Sequence, residues 1–171
     1  LLTLAQETDM EVVIIHPPLV YGPGVKANFS SMMKWMSKPM PFPFGAIHNQ
    51  RSLVALDNLV SFISLSVDRE KSSKASSHVF LISDCQDVST TQLLRKVGQA
   101  LNRQTPSGIK AWLVPVPVSI MTFFAKLLGK GDMANRLFGS LQVDSSKARD
   151  LLGWTPVITM DEQLAKMSKD T

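Results

Sequence analysis

One cysteine and one tyrosine are all that 171 residues contain of those two types. The lone thiol, Cys85, can close no internal disulfide; this suits a reducing compartment and leads us to expect the cytoplasm. Cys85 follows an apolar run and has no activating residue around it, so a plain half-buried thiol is expected rather than a nucleophile. Charged residues make up 19% and form no lysine or arginine run, and the net charge is only +4 with a pI near 9.3. That balance argues weakly for an anionic ligand and against nucleic acid, because no basic helix or aromatic-basic stripe occurs. Long hydrophobic runs are also missing. The apolar segment Val114–Leu128 is broken by Pro115, Pro117 and Lys126 and reads as a buried helix, so no membrane partner is expected. No secretory signal is visible. His48 and His78 stand at no metal-ligand spacing from any cysteine or acid, so no metal is expected. Finally, no Gly-x-x-Gly-x-x-Gly occurs, and Tyr21 is followed four residues later by Val25 rather than by lysine.

What is present is a globular composition, with 44% hydrophobic residues and few strands among many helices. The chain opens Leu1-Leu2-Thr3-Leu4-Ala5, without methionine or cap, as though a helix had been entered midway; the expectation is a fragment. Val12–Ile15 is an unbroken β-branched run, expected to be a strand buried on both faces as in a parallel sheet. Pro17-Pro18 ends it, and a turn follows at Tyr21–Gly24. Helix is expected from Ala27 to Ser37, with Phe29, Met32, Met33 and Met36 on one side. Pro39–Asn49 reads as irregular and Arg51–Leu56 as a short strand. Asp57 should cap a helix running to about Asp68, and Lys71–Ser77 should be a polar loop. A second strand is expected at His78–Ile82, and a capping box at Ser89–Gln92 should open a helix to about Leu101. Further helices are expected at Val118–Leu128, Met133–Phe138, Ser145–Leu152 and Asp161–Lys169, with Asp144 as a cap and a stop at Gly153-Trp154-Thr155-Pro156. Two parallel-type strands make no stable sheet alone, so others must come from elsewhere, and Val12–Ile15 should offer an apolar edge prone to association.

The strongest local signal is Ile15-His16-Pro17-Pro18-Leu19-Val20-Tyr21-Gly22-Pro23-Gly24, a buried strand stopping abruptly at its carboxyl end. Ligands of open α/β sheets sit just outside such ends. This segment resembles the strand-Arg-Pro-Pro-x-Val-Tyr-Gly-Pro-Gly of extended short-chain dehydrogenases. Arg51-Ser52-Leu53-Val54-Ala55-Leu56-Asp57-Asn58 is similar to a second family segment. Val143-Asp144-Ser145-Ser146-Lys147-Ala148 through Leu152-Gly153-Trp154-Thr155-Pro156 resembles a third. The three stand in the right order and cover essentially the whole chain. The resemblance is to the NAD-dependent epimerase/dehydratase family, of the UDP-glucose 4-epimerase kind, in its carboxy-terminal part.

That resemblance implies an α/β, Rossmann-like fold with a helix-rich substrate-binding region. Residues 1–25 and 57–104 would be a remnant of the Rossmann sheet, interleaved with a substrate-binding region at 26–56 and 105–171. It implies NAD as cofactor, with the Pro17-Pro18 backbone against its nicotinamide end. It implies a nucleotide-diphosphate sugar as substrate: Asn28 and Phe29 touching the diphosphate, Phe42 and Phe44 under the base, Arg51 gripping the two phosphates, and Arg136 as a second arginine. A planar, permanently charged fork suits adjacent phosphates better than a lysine does. In the family, NAD takes hydride from a sugar carbon while a tyrosine paired with a lysine acts as base. Neither of those two is in this chain, so no catalytic residue is assigned to it. A homodimer and a role in surface polysaccharide synthesis are implied for the whole protein. His16 stands where the family usually has arginine, and Leu19 where well-known 4-epimerases have asparagine, which leaves the sugar open. Two alternatives remain: a hydroxysteroid-type reductase of the same fold, against which Arg51 speaks, and a non-catalytic binding module.

Overall fold

The computed structural model describes the chain except residues 1, 2, 4–6, 9, 26, 27, 37, 39, 40, 69–71, 103–111, 128, 130–137, 170 and 171, and describes only the backbone at 28, 30, 31, 72, 73, 102, 112, 124, 125 and 169. The chain divides into two compact units, each assembled from three separated stretches. Among the described residues, six short strands form three parallel pairs. An α/β architecture with parallel pairing is therefore what the sequence led us to expect.

The first unit comprises Leu1–Gly22, Ser52–Gln86 and Val143–Gln163. Strand β1 (Val13–His16) pairs in parallel with β5 (His78–Leu81), and β2 (Leu19–Tyr21) with β4 (Leu53–Ala55). The β-branched run of β1 makes a strand as expected, but it is half-buried rather than covered on both faces, with β5 as its partner among the described strands. Pro18 does not simply hand over to a turn: Leu19-Val20-Tyr21 re-enters extended structure, because alternation brings Tyr21 fully inward. The strand expected over Arg51–Leu56 is shorter, ending at Ala55, and helix α2 (Leu56–Val67) begins at once. Its cap position is Ala55, not Asp57. Asp57 sits inside the first turn, where a carboxylate still suits the positive end of the helix dipole. The expected loop at Lys71–Ser77 contains a one-turn helix, α3 (Ser72–Ala75), whose Ala75 is buried.

The core of this unit gathers Val54, Phe62, Ala75, Phe80, Ile82, Ala148, Leu152 and Trp154. Phe62 meets Phe80 and Trp154 edge-on, with centroids 5.2 and 5.5 Å apart. Such contacts add about 0.5–1.5 kcal/mol each beyond area burial. Helix α6 (Ser146–Leu152) brings Ala148 and Leu152 into this cluster. Ser145 holds its cap position, while Asp144, one residue earlier than a cap, accepts the Ser146 N–H at 2.9 Å. That hydrogen bond keeps the Asp144 carboxyl below the ordinary carboxylate range. Gly153 ends the helix in the left-handed region (φ 67°), which a side chain would disfavour.

A polar network ties these pieces together. Asn58, fully buried, accepts N–H groups from Val157 (2.8 Å) and Ile158 (2.9 Å) on its carbonyl. Its amide donates to Ile158 O (3.0 Å) and Asp84 Oδ1 (2.7 Å). The same Asp84 oxygen accepts Ala55 N–H at 2.8 Å, and Oδ2 accepts the Tyr21 hydroxyl at 2.6 Å.

The second unit comprises Pro23–Arg51, Asp87–Gln142 and Leu164–Thr171. Helix α1 (Asn28–Met36) buries Phe29, Met33 and Met36 along one stripe, as its spacing predicts. Helix α4 (Thr90–Asn102) opens with the expected capping box: Gln92 Oε1 accepts Ser89 N–H at 2.8 Å, and Ser89 Oγ accepts Gln92 N–H at 3.1 Å. The segment read as irregular contains β3 (Pro41–Phe42), which pairs in parallel with β6 (Trp112–Leu113). Two-residue strands carry no periodic signal, so neither could be seen in advance. Helix α5 (Val118–Leu127) lies where expected but is not wholly buried. Of the helix expected at Met133–Phe138, only Phe138 lies within the described residues. Helix α7 (Met160–Lys169) has its first turn in the first unit, and a Thr159–Glu162 capping box opens it. Among the described residues, no helix is long and apolar enough to cross a membrane.

Three predictions follow from this packing. Replacing Asn58 with alanine strands the Val157 and Ile158 backbone donors and takes the amide donor from the Ile158 carbonyl, so urea unfolding should show a loss of about 3 kcal/mol; a loss below about 1 kcal/mol would mean that the network is not what holds the loop. Burial, and then the Asp84 carboxylate, push the Tyr21 phenol above its ordinary value near 10. A raised folded-state value gives stability that is full below about pH 10 and is lost as the pH rises past it. Since Tyr21 is the chain's one tyrosine, tyrosinate absorbance should stay absent at about pH 11 and emerge only with loss of helical circular dichroism. Lastly, a Cβ at Gly45 would lie 2.8 Å from Leu113 O and Val114 C, both backbone. Gly45→Ala should therefore cost about 1–3 kcal/mol in thermal or chemical unfolding.

Candidate functional site

The first unit offers the carboxyl edge of its strands. Here β1 stops at His16, whose side chain is exposed, and Pro17 is exposed with Pro18 half-buried behind it. Neither proline has an N–H to donate, so the strand ladder ends here for a chemical reason. The register places His16 beside Leu81, the last residue of β5. Asp84 and Cys85 follow shortly after. Cys85 has a positive φ (56°), and its Sγ lies 3.2 Å from the Ser145 hydroxyl and 3.8 Å from the Ser83 carbonyl. Those neighbours can solvate a thiol but cannot take its proton, so nothing here makes a nucleophile.

A cleft of about 170 Å³ lies between Asp84, Gln86, Glu162 and the Pro156–Met160 segment. It looks acidic, but its carboxylates are occupied. Asp84 holds three partners, and Glu162 Oε2 accepts both the N–H and the hydroxyl of Thr159, at 2.8 and 2.7 Å. Its volume is also below the roughly 300 Å³ at which small-molecule sites begin. Tyr21, likewise, is fully buried with its hydroxyl committed to Asp84. It has no access to a substrate and serves the fold.

The second unit contains a non-helical run from Phe42 to Arg51, with a turn at Gly45-Ala46, that is fixed at several points. Gly45 N–H donates to Val114 O (2.9 Å), and Val114 N–H to Phe42 O (2.8 Å). The Thr91 hydroxyl donates to Phe44 O at 2.7 Å and accepts Ile47 N–H at 2.9 Å, so one side chain bridges two places on the run. Asn49, buried, accepts Thr90 N–H at 2.8 Å and donates to Gly139 O at 3.1 Å. Arg51 exchanges both backbone hydrogen bonds with Val88, at 3.0 Å each, and bridges in parallel to Leu141, whose N–H reaches Gln50 O at 2.8 Å. The arginine backbone is thus pinned on two sides. Its side chain is half-buried, and among the described residues no carboxylate forms an ion pair with it.

Of the residues the sequence singled out, this run holds Phe42, Phe44 and Arg51 together. The rings of Phe42 and Phe44 are half-buried, leaving part of each accessible. Asn28 and Phe29 open α1 as expected, but the Phe29 ring is 2% exposed and belongs to the core, leaving its backbone to offer. The Asn28 side chain and the whole of Arg136 lie outside the described residues. Asn49 and Thr91 were not anticipated. Both are ordinary polar residues whose role depends on partners 41 to 90 residues away, and nothing local announces it.

No protein-family model matches the chain. It is, however, 48% identical over 163 residues to a UDP-glucose 4-epimerase of Vibrio cholerae, an alignment covering 95% of this chain and 47% of that protein. A 4-epimerase of Escherichia coli O157:H7 acting on N-acetyl-α-D-glucosaminyl-diphospho-ditrans,octacis-undecaprenol is 28% identical over 100 residues, covering 58% of the chain and 29% of that protein. Among solved structures, the Thermotoga maritima UDP-glucose 4-epimerase with UDP-glucose superposes with a TM-score of 0.65 at 20% identity, covering 98% of this chain and 48% of that one. The Bacillus cereus UDP-glucuronic acid 4-epimerase in complex with NAD gives 0.67 at 18% identity, covering 98% and 46%. The structural likenesses establish the fold, and the Vibrio alignment establishes the kinship. The chain spans about half the length of the relatives it matches along its whole extent. It belongs to the NAD-dependent epimerase/dehydratase family, within the extended short-chain dehydrogenases.

Proposed function

We propose that the whole protein is an NAD-dependent nucleotide-sugar epimerase, acting at the 4-position of a UDP-sugar, and that this chain supplies its substrate-holding part. The observation that carries this reading is the 48% identity to a UDP-glucose 4-epimerase, sustained over 95% of the chain.

The second unit would hold the nucleotide. Arg51, launched from a backbone pinned to Val88 and Leu141, would grip the diphosphate with two parallel N–H···O bonds. Phe42 and Phe44, on a run held by hydrogen bonds of the Phe42 and Phe44 carbonyls and the Gly45 amide, would offer ring edges or faces to the uracil. Asn28 and the Phe29 backbone would reach the same diphosphate from the start of α1, where a helix N-terminus favours negative charge. Arg136 would be a second arginine on the phosphates. A pinned backbone matters because a clamp that must first be ordered loses binding energy to that ordering.

The first unit would face the cofactor. Pro17 and Pro18, one exposed and one half-buried at the end of β1, fit the flank of a flat nicotinamide ring. The chain holds no glycine-rich cradle for the dinucleotide phosphates, so those would be bound by residues outside it. NAD would supply the hydride acceptor and donor at the sugar carbon. No residue here is assigned to proton transfer: Tyr21 is buried and committed to Asp84, and Cys85 has no base beside it.

Calorimetric titration of the full-length protein with UDP tests the reading. Arg51→Ala should weaken UDP and UDP-sugar binding by about 1.5–3 kcal/mol, the scale of a hydrogen bond to a charged group. Arg51→Lys should restore only part of it. Because the Arg51 backbone makes the bridges, the melting temperature of both variants should stay close to that of the parent. UDP affinity unchanged in Arg51→Ala would favour a reductase with an uncharged substrate instead.

A further inference from the structure

The turn at Gly45-Ala46 is not closed by its own backbone. A turn of this reach commonly closes when the carbonyl of its first residue accepts the N–H of its fourth. Here the Thr91 hydroxyl stands between the two: it donates to Phe44 O at 2.7 Å and accepts Ile47 N–H at 2.9 Å. Among the described residues, no direct bond joins those two backbone groups. A hydroxyl can take this place because it donates and accepts at once. Two hydrogen bonds in series hold the ends of the turn wider apart than the single bond they replace.

Helix α4 itself has no need of that hydroxyl. The Ser89–Gln92 box already serves its first turn, and among its described residues the other buried side chains are aliphatic. Thr91 is 4% exposed and Ile47 1%, so bulk water reaches neither the hydroxyl nor the N–H that it accepts. The opposite side of the turn is fixed as well. Gly45 N–H donates to Val114 O, and a Cβ on Gly45 would run into the backbone of Leu113 and Val114. The turn is thus gripped from two sides, and one side chain sets its width. What it separates are the aromatic and the cationic ends of the run, Phe44 and Arg51, seven residues apart.

We propose that Thr91 is a positioning residue for a nucleoside diphosphate: its hydroxyl, built into the turn, sets the separation between the Phe44 ring and Arg51, and so the span of ligand that meets both. The inference rests on the reading of Phe44 as a base contact and Arg51 as a diphosphate clamp. A ligand that touches both gains from the second contact only where their spacing matches its own, because a mismatch makes one contact at the expense of the other. Thr91 touches no ligand in this scheme. It acts through the carbonyl of Phe44 and the amide of Ile47.

The test is calorimetric titration of full-length variants with UDP. Thr91→Val, which keeps the shape and removes the hydroxyl, should weaken UDP binding about tenfold, while Thr91→Ser should stay within about twofold of the parent. Thr91→Ala leaves room for a water in the hydroxyl's place and should lie between, at about threefold. A side chain that serves stability alone would lower the melting temperature without coupling to Arg51. The loss caused by Arg51→Ala should therefore be smaller in the Thr91→Val background than in the parent. If circular dichroism shows Thr91→Val unfolded, the same cycle is run on Thr91→Ala. A folded Thr91→Val (or, in its place, Thr91→Ala) that binds UDP as the parent does, a serine variant as weak as the valine one, or strictly additive losses in the cycle would overturn the proposal. Arg51→Ala without effect would remove the underlying reading too, whereas an effect of Arg51→Ala with none of Thr91→Val would sink this inference alone.

Discussion

The carboxylate of Asp84 is the point on which the first unit turns. One oxygen collects the Ala55 amide from the end of β4 and the Asn58 amide from the first turns of α2; the other collects the Tyr21 hydroxyl from β2. Asn58 extends the same network to Val157 and Ile158, and its four hydrogen-bonding positions are all filled. Two strands, a helix and the loop before α7 are therefore registered against each other by two side chains. Short parallel strands of three or four residues supply little ladder energy of their own. A saturated polar network is what gives such short pieces a unique arrangement, and it does so only because none of its members is left unpaired.

The same residues explain a feature of the sequence. Tyr21 belongs to the Val-Tyr-Gly-Pro turn and Asn58 to the Leu-Asp-Asn segment, the two motifs that pointed most clearly to the family. In this structure neither is chemistry. They are the two ends of a brace through Asp84, and the Gly153-Trp154-Thr155-Pro156 turn leads into its third attachment. Trp154 itself packs edge-on against Phe62, with its indole nitrogen buried and without a partner among the described residues.

How far the sequence could be read depended on the range of the forces involved. Helix positions were legible because their determinants are local: the Ser89–Gln92 capping box and the stripe of Phe29, Met33 and Met36 lie within a few residues of one another. The β1 strand announced itself through the four consecutive β-branched residues Val12–Ile15. What stayed hidden was non-local. The pairing of Pro41–Phe42 with Trp112–Leu113 joins segments some 70 residues apart and has no periodicity to betray it. Asn49 and Thr91 read as unremarkable polar residues, yet they fasten the run that carries Phe42, Phe44 and Arg51. The exposure of Phe123 on α5 was hidden for a different reason. Composition says that α5 is apolar, but only coordinates say which side is covered.

Fastening the Phe42–Arg51 run at so many points has an evolutionary consequence. Its shape is held by Thr91, Asn49, Val114, Val88 and Leu141, through backbone groups and through the Thr91 and Asn49 side chains. The residues free to vary are then the half-exposed ones, Phe42 and Phe44, with Pro43 between them. A lineage could exchange these rings for other shapes without first having to re-establish a folded loop.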